Sequence, residues 1–125
     1  MCTIVCFTDS GTVTSAVQAT LGDHDLHMLS ASRLSADVRD VVQRLAPDVV
    51  LLELSRAMDN AHIFFFLRSD QTTRETPIVL VSANESSTHQ ARVLEADAVL
   101  TNASLPDKLR HTIARFQPHE HSVAA

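Results

Sequence analysis

Apolar residues in this chain fall into five short runs, separated by stretches in which they recur every three or four positions. The first run, Thr3 to Phe7, is rich in strand formers and is followed by a turn, Thr8-Asp9-Ser10-Gly11. Val13, Ala16, Val17, Thr20 and Leu21 then recur at helical spacing, with Thr12 as the expected cap and Gly22-Asp23 as the expected end. Leu26 to Leu29 is a second, weaker strand. Ser35 is placed to start the next helix. Val38, Val41, Val42 and Leu45 follow at i, i+3, i+4 and i+7, and Pro47 closes the segment.

Val49 to Leu54 is almost continuously apolar, the pattern of a central parallel strand covered on both faces. The stretch from Ala61 to Ser69 reads as helix. Pro77 precedes another continuous run, Ile78 to Val81. Asn84 or Ser86 is placed to cap a helix reaching about to Glu95, and Ala98 to Leu100 is a short fifth strand. Pro106 suits a first helical turn, and Leu109, Ile113 and Phe116 form the inner stripe of the last helix. Regular alternation of strand and helix with short connections predicts a five-stranded parallel sheet with helices on both faces. The predicted domain spans residues 1–116. Residues 117–125 lack periodicity and read as a flexible tail.

Composition narrows the function classes. The 125 residues suit one domain, and 45% hydrophobic with 20% charged residues is an ordinary globular balance. A net charge of −5 speaks against nucleic acid or an anionic membrane as partner. No run approaches the roughly 20 apolar residues of a membrane span, and the N-terminus does not read as a signal peptide. Cys2 and Cys6 lie roughly 13 Å apart in an extended strand, too far for a disulfide. Buried thiols and a cytoplasmic location are therefore expected.

In an open parallel sheet, ligands and chemistry gather at the carboxyl ends of the strands, where the strand order reverses. That points to Thr8 and Asp9 after the first strand, Glu53 at the end of the third, Ser82 after the fourth and Asn102 after the fifth. Read on residues alone, this is a small polar pocket with two carboxylates.

From Thr3 to about Phe116 the chain resembles the receiver domain of two-component response regulators, the CheY-like family. The resemblance rests on Pro47-Asp48-Val49-Val50-Leu51-Leu52-Glu53-Leu54, on Leu67-Arg68 through Thr73-Arg74, on Pro77-Ile78-Val79-Leu80-Val81-Ser82-Ala83, and on Leu94-Glu95-Ala96 followed by Leu100-Thr101-Asn102. It implies a doubly wound, flavodoxin-like (βα)5 fold and a role in signal transduction. It also implies where the site departs from the family. The acid pair after the first strand is Thr8-Asp9. Glu53 stands at the phosphoacceptor aspartate and Asn102 at the lysine. Val99 stands at the aromatic switch residue, and Ser82 keeps the hydroxyl. The loop Ser55 to Asn60 reads one residue short, with Asn60 able to take the left-handed turn usually given to glycine.

These exchanges have physical consequences. A receiver holds Mg²⁺ through several oxygens, so losing an acid at Thr8 leaves Mg²⁺ binding weak or absent. Glutamate carries its carboxylate one methylene further out, and a shift on the order of 1 Å costs about a hundredfold where positioning matters. No cation at position 102 meets an added phosphate. Glu53 is then either a mimic of a phosphorylated aspartate or a solvated carboxylate at a disused site; with Thr8, Asn102 and Val99 beside it, the second reading is preferred. Asp9 is either a weak cation ligand with Glu53 or a lone acid capping the approach of the first helix, and the second reading is preferred. Ser82 is expected to be satisfied by local backbone.

Phe64-Phe65-Phe66 concentrates three of the five Phe residues. Ile63, Phe64 and Leu67 share a core face. Phe65 points roughly opposite and Phe66 to the flank, so the two are candidate contacts for a partner or a second copy, unless Phe65 folds under the Asp70–Glu75 loop. His119-Glu120-His121 reads as polar tail and not as a metal site. The sequence thus predicts a stand-alone pseudo-receiver, not an enzyme and without a cofactor, that signals through protein partners and is a possible homodimer. With no output domain following Phe116, its response would pass through another polypeptide. The face built from the fourth helix, fifth strand and fifth helix is the partner surface that the resemblance implies. Two alternatives stand beside it. One is a receiver phosphorylated by non-standard chemistry; the other is a small phosphotransfer enzyme using Cys6.

Overall fold

The computed structural model describes residues 2–30, 38–54, 61–71, 73–82 and 91–116. Five strands form one sheet: β1 (Thr3–Phe7), β2 (Asp25–Leu29), β3 (Val49–Leu54), β4 (Ile78–Ser82) and β5 (Ala98–Thr101). The helices are α1 (Gly11–Leu21), α2 (Val38–Leu45), α3 (His62–Ser69), a helical stretch at residues 91–93 (α4) and α5 (Leu105–Ala114), the last preceded by a 3₁₀ turn, Asn102–Ser104. All pairings are parallel, in the order β2-β1-β3-β4-β5. This is the doubly wound (βα)5 architecture expected from the alternation of patterns. The strand order reverses between β1 and β3. No helix among the described residues is long and apolar enough to cross a membrane.

Strand alternation divides the core into two layers. Ile4, Cys6, Leu51, Val79 and Val81 meet Val13, Val17 and Leu21 of α1 and Leu109 and Ile113 of α5. Val5, Phe7, Leu52, Leu54 and Leu80 meet Val42 of α2, Ile63, Phe64 and Leu67 of α3, and Ala91 of α4. Every residue of β3 is buried, as a strand covered on both faces requires.

Several boundaries differ from the sequence reading. Helix α1 is capped by Ser10, not Thr12: Ser10 is extended (φ −94°, ψ 127°) and its hydroxyl accepts from the Val13 N–H at 3.4 Å. Gly22 ends α1 in right-handed conformation, φ −64°. A side chain there would bring its Cβ to 2.6 Å from the Gln18 carbonyl oxygen, so close approach and not a left-handed turn explains the glycine. Strands β4 and β5 each run one residue further, to Ser82 and Thr101, and β2 begins one residue earlier, at Asp25. Helix α4 stops at residue 93, and Glu95 is left-handed at φ 58°. The expected caps Ser35, Asn84 and Ser86, the Ser55–Asn60 loop and the tail 117–125 lie outside the described residues.

Two aspartates tie the strand entrances. Asp48 Oδ2 accepts from the Thr3 N–H at 2.8 Å, and Asp97 Oδ2 from the Ile78 N–H at 2.8 Å. Asp97 also takes the Arg68 guanidinium at 2.6 Å. The other end of that guanidinium donates to the Arg74 and Thr76 carbonyls at 3.0 and 2.8 Å. With Thr73 Oγ1 donating to the Leu67 carbonyl at 2.8 Å, the α3–β4 connection is closed down by its own side chains.

Ala46 terminates α2 at φ 45°, its N–H bonded to the Val42 carbonyl at 2.9 Å. A left-handed conformation costs an L-residue roughly 1–2 kcal/mol, a cost that glycine escapes. Ala46→Gly is therefore expected to stabilise the fold by about 1 kcal/mol, raising the thermal midpoint by roughly 4 °C; an unchanged or lower midpoint in calorimetry contradicts the assignment.

Candidate functional site

The register that pairs Phe7 with Leu52 brings the next residues, Thr8 and Glu53, together at the carboxyl ends of β1 and β3. This is the point where the strand order reverses, the expected place for a site in an open α/β sheet. Both side chains continue the face of Cys6 and Leu51. Thr8 Oγ1 donates to Glu53 Oε1 at 2.6 Å, and the same hydroxyl accepts from the Ser10 N–H at 3.0 Å. The Thr8 N–H is bonded to the Leu29 carbonyl at 2.9 Å, extending the β1–β2 ladder by one step. Thr8 is thereby fixed at both its backbone and its hydroxyl.

Glu53 is only 8% exposed and Thr8 7%. This corrects the expectation of a solvated carboxylate. Glu53 is the penultimate residue of a strand covered on both faces, and the Thr8 hydroxyl replaces water as a hydrogen-bond donor to it. A hydrogen bond to a carboxylate is roughly twice as strong as one between neutral groups, and more consequential where water is excluded.

Asp9 is exposed, and its Oδ1 accepts from Ser30 Oγ at the end of β2. Its carboxylate is engaged across the β1–β2 side of the switch point. The cap of α1 falls to Ser10, so Asp9 does not serve as the helix cap. Ser82 is fully buried, and its hydroxyl donates to the Leu100 carbonyl at 3.4 Å. Its partner is backbone, as expected, but on the neighbouring strand and not local. Asn102 opens the 3₁₀ turn, whose ends are joined by a reciprocal capping box between Thr101 and Ser104. Asn102 Oδ1 is buried without a hydrogen-bond partner. Val99 is half-buried against the α2–α3 layer of the core.

Cys6 lies in the α1–α5 layer at 1% exposure. Burial, with a smaller contribution from the Glu53 charge, pushes its thiol up to about 12. Thiolate is the nucleophilic form, so burial disfavours the state that a Cys6 nucleophile would need. Both cysteines are buried and neither forms a disulfide, as expected.

Phe65 and Phe66 stand 53% and 42% exposed, while Phe64 is buried. Phe65 does not fold under the following loop, because Arg68 and Thr73 hold that loop against the end of α3. The sequence reading missed Ser30, Arg68, Asp97 and the Thr101–Ser104 box. Of these only the Ser/Thr pair three residues apart leaves a local trace in the sequence.

No protein-family model and no curated protein sequence matches the chain. Solved structures do. A response regulator in red light signaling of R. palustris superposes with a TM-score of 0.69 at 21% identity, covering 95% of each chain. The phosphorylated cyanobacterial phytochrome response regulator RcpA gives 0.69 at 18% identity, over 90% of this chain and 91% of that one. The BeF3-activated N-terminal receiver domain of Klebsiella pneumoniae RstA gives 0.66 at 22% identity, over 90% and 96%. At these identities the likeness is one of fold: the chain has the receiver architecture over nearly its whole length.

Two outcomes follow for the site. Thr8→Val removes a donor from a buried carboxylate and is expected to cost about 1–3 kcal/mol, read as a lower denaturant midpoint at unchanged slope. Thr8→Ser should recover most of the loss; equal loss in both variants would show that the hydroxyl is not what matters. For Cys6, a thiol held protonated in the fold and titrating near its usual value of 9.0 when unfolded contributes stability below pH 9 that is lost as pH rises toward about 12. Native thiols should not react with an aromatic disulfide reagent at pH 8 and should react on unfolding; fast native labelling refutes the assignment.

Proposed function

We propose that this chain is a signalling module with a receiver scaffold that acts through protein–protein contact and does not carry aspartyl phosphorylation. The observation that carries this reading is Glu53, buried at the switch point and hydrogen-bonded at 2.6 Å by Thr8. In the family that the sequence resembles, those positions hold the phosphoacceptor and one of its neighbouring acids. Here a carboxylate oxygen of Glu53 is engaged by a hydroxyl, and the side chain is almost wholly buried.

The rest of the site supports the same reading. Asn102 is uncharged where a cation would be needed, so no charge-assisted contact would hold an added phosphoryl group. Mg²⁺ asks for near-octahedral oxygen ligands, usually with one or two carboxylates facing it. Thr8 is committed to Glu53, and Asp9 takes a hydrogen bond from Ser30. This donor set does not fit the ion, and no step of the proposed mechanism passes through one. Val99 has no aromatic ring to swing between an inner and an outer position. The RcpA neighbour is a phosphorylated form and the RstA neighbour a BeF3-activated form; this chain is proposed to have kept their scaffold without that chemistry.

Nothing in the site calls for catalytic turnover, and the module is proposed not to be an enzyme. Its message would lie in the surface it presents. The face formed by α4, β5 and α5 is the proposed surface for a signalling partner, supported by Val93, a large apolar side chain 70% exposed on α4.

Incubation with acetyl phosphate and Mg²⁺, followed by intact mass measurement, is expected to leave the chain unmodified. A gain of one phosphoryl group that disappears in Glu53→Ala would establish phosphorylation by non-standard chemistry and overturn the proposal.

A further inference from the structure

Helix α5 differs in charge from the chain that carries it. Residues 105–116 hold Lys108, Arg110 and Arg115 against a single carboxylate, Asp107, on a chain of net charge −5. By contrast α1 has no charged side chain, α2 holds both signs in Asp40 and Arg44, and the one formal charge of α3, Arg68, is engaged by Asp97. The basic side chains of α5 are also divided between two flanks. Successive helical residues turn by roughly 100°. With Leu109 and Ile113 facing the core, Arg110 falls on one flank and Lys108 and Arg115 on the other. Arg110 donates to the Thr20 carbonyl of α1 at 2.9 Å, so its flank faces α1. Helix α1 packs beside β2 and α5 beside β5, and these strands are opposite edges of the sheet. Lys108 and Arg115 therefore lie away from α1, on the side of the outer strand β5. Both are exposed, as are His111 and Asp107 on the crest of the helix.

Neither helix stability nor pairing accounts for this flank. Lys108 is the fourth residue of α5 and gains nothing from the helix dipole, which favours acids at that end. Among the described residues, neither Lys108 nor Arg115 has an ion-pair partner. The Arg115 guanidinium lies 5.4 Å from the Phe116 ring centroid, a contact that steadies it and leaves its N–H donors for another acceptor. We propose that this flank docks an acidic segment of a partner protein, whose carboxylates meet Lys108 and Arg115. The rise from one to the other is about 10 Å, a spacing that carboxylates on one helix face or one strand can match. Charge complementarity selects this occupant. Nucleic-acid binding engages roughly 6–10 phosphates, and an anionic lipid surface attracts clusters of roughly 4–8 Lys or Arg. Two cations on an acidic chain supply neither. A second copy would set one net charge of −5 against another. The inference rests on the reading of the chain as a protein-contact module and names the partner chemistry of its α5 face.

Exposed ion pairs are individually weak and screened by salt, so the expected affinity is modest. A fluorescent Glu-rich peptide, titrated with the full chain at low ionic strength and read by anisotropy, should saturate with a Kd of about 0.1 mM. Lys108→Gln with Arg115→Gln should weaken binding at least about fivefold. A control pair, Arg44→Gln with Arg74→Gln, changes the net charge equally on α2 and the α3–β4 connection and should cost less than about twofold. All four side chains are exposed, so both double variants should keep the thermal midpoint. No saturable binding, equal loss in the control pair, or tighter binding to duplex DNA or to phosphatidylserine–phosphatidylcholine vesicles would each overturn the proposal. So would self-association of the wild-type chain that Lys108→Gln with Arg115→Gln abolishes, since the flank would then belong to a second copy. Failure of the functional reading is seen separately, as a phosphoryl group gained from acetyl phosphate and lost in Glu53→Ala; failure here is seen as an unmodified chain that does not hold the peptide.

Discussion

A central parallel strand has no face to give to water. Strand β3 is buried from its first residue to its last, and that constraint organises the molecule around it. It forces an apolar side chain at five of its six positions, Val49 to Leu52 and Leu54, and feeds both core layers. At the sixth it sets a condition: a carboxylate can stand there only with a donor supplied by the protein. Thr8 meets the condition from the adjacent strand. The Thr8–Glu53 pair is thus a local solution to a packing problem as much as a remnant of any chemistry, and the two residues have to be read together.

The fold was largely legible because its signals are local. Continuous apolar runs mark β3 and β4, helical spacing marks α1, α2 and α5, and Pro47 and Pro77 punctuate the segments. The strand ends, the expected place for a site, follow from the alternation of strand and helix. The first helix cap was misplaced because Ser10 and Thr12 are both competent caps, and only the backbone angle at Ser10 decides between them. The Arg68–Asp97 bond joins residues 29 positions apart, and no spacing rule reaches that far.

The site was legible in position and not in arrangement. Thr8, Asp9, Glu53, Ser82 and Asn102 do lie at the carboxyl edge of the sheet. Their partners follow from register and burial, which a sequence does not state. Thr8 falls beside Glu53 because β1 and β3 are paired with Phe7 opposite Leu52. Asp9, one residue on, takes its hydrogen bond from Ser30. The pocket read from the sequence held two carboxylates, Asp9 and Glu53. The folded chain engages each with a different hydroxyl. The structural neighbours share the scaffold at 18–22% identity, a level at which architecture is preserved while site residues are free to change.

The burial of Cys2 and Cys6 bears on how the protein fails. The folded chain keeps both thiols buried, away from oxidants in the solvent. The same thiols appear in solvent only when the fold opens, and they appear there at their ordinary reactivity. In an oxidising medium, transient unfolding becomes a one-way exit: an opened chain that forms a mixed or intermolecular disulfide has no route back to a core that holds two reduced cysteines. The lifetime of the protein outside a reducing environment is then governed by how often it opens, a kinetic property set by the packing of β1 rather than by any exposed reactive group.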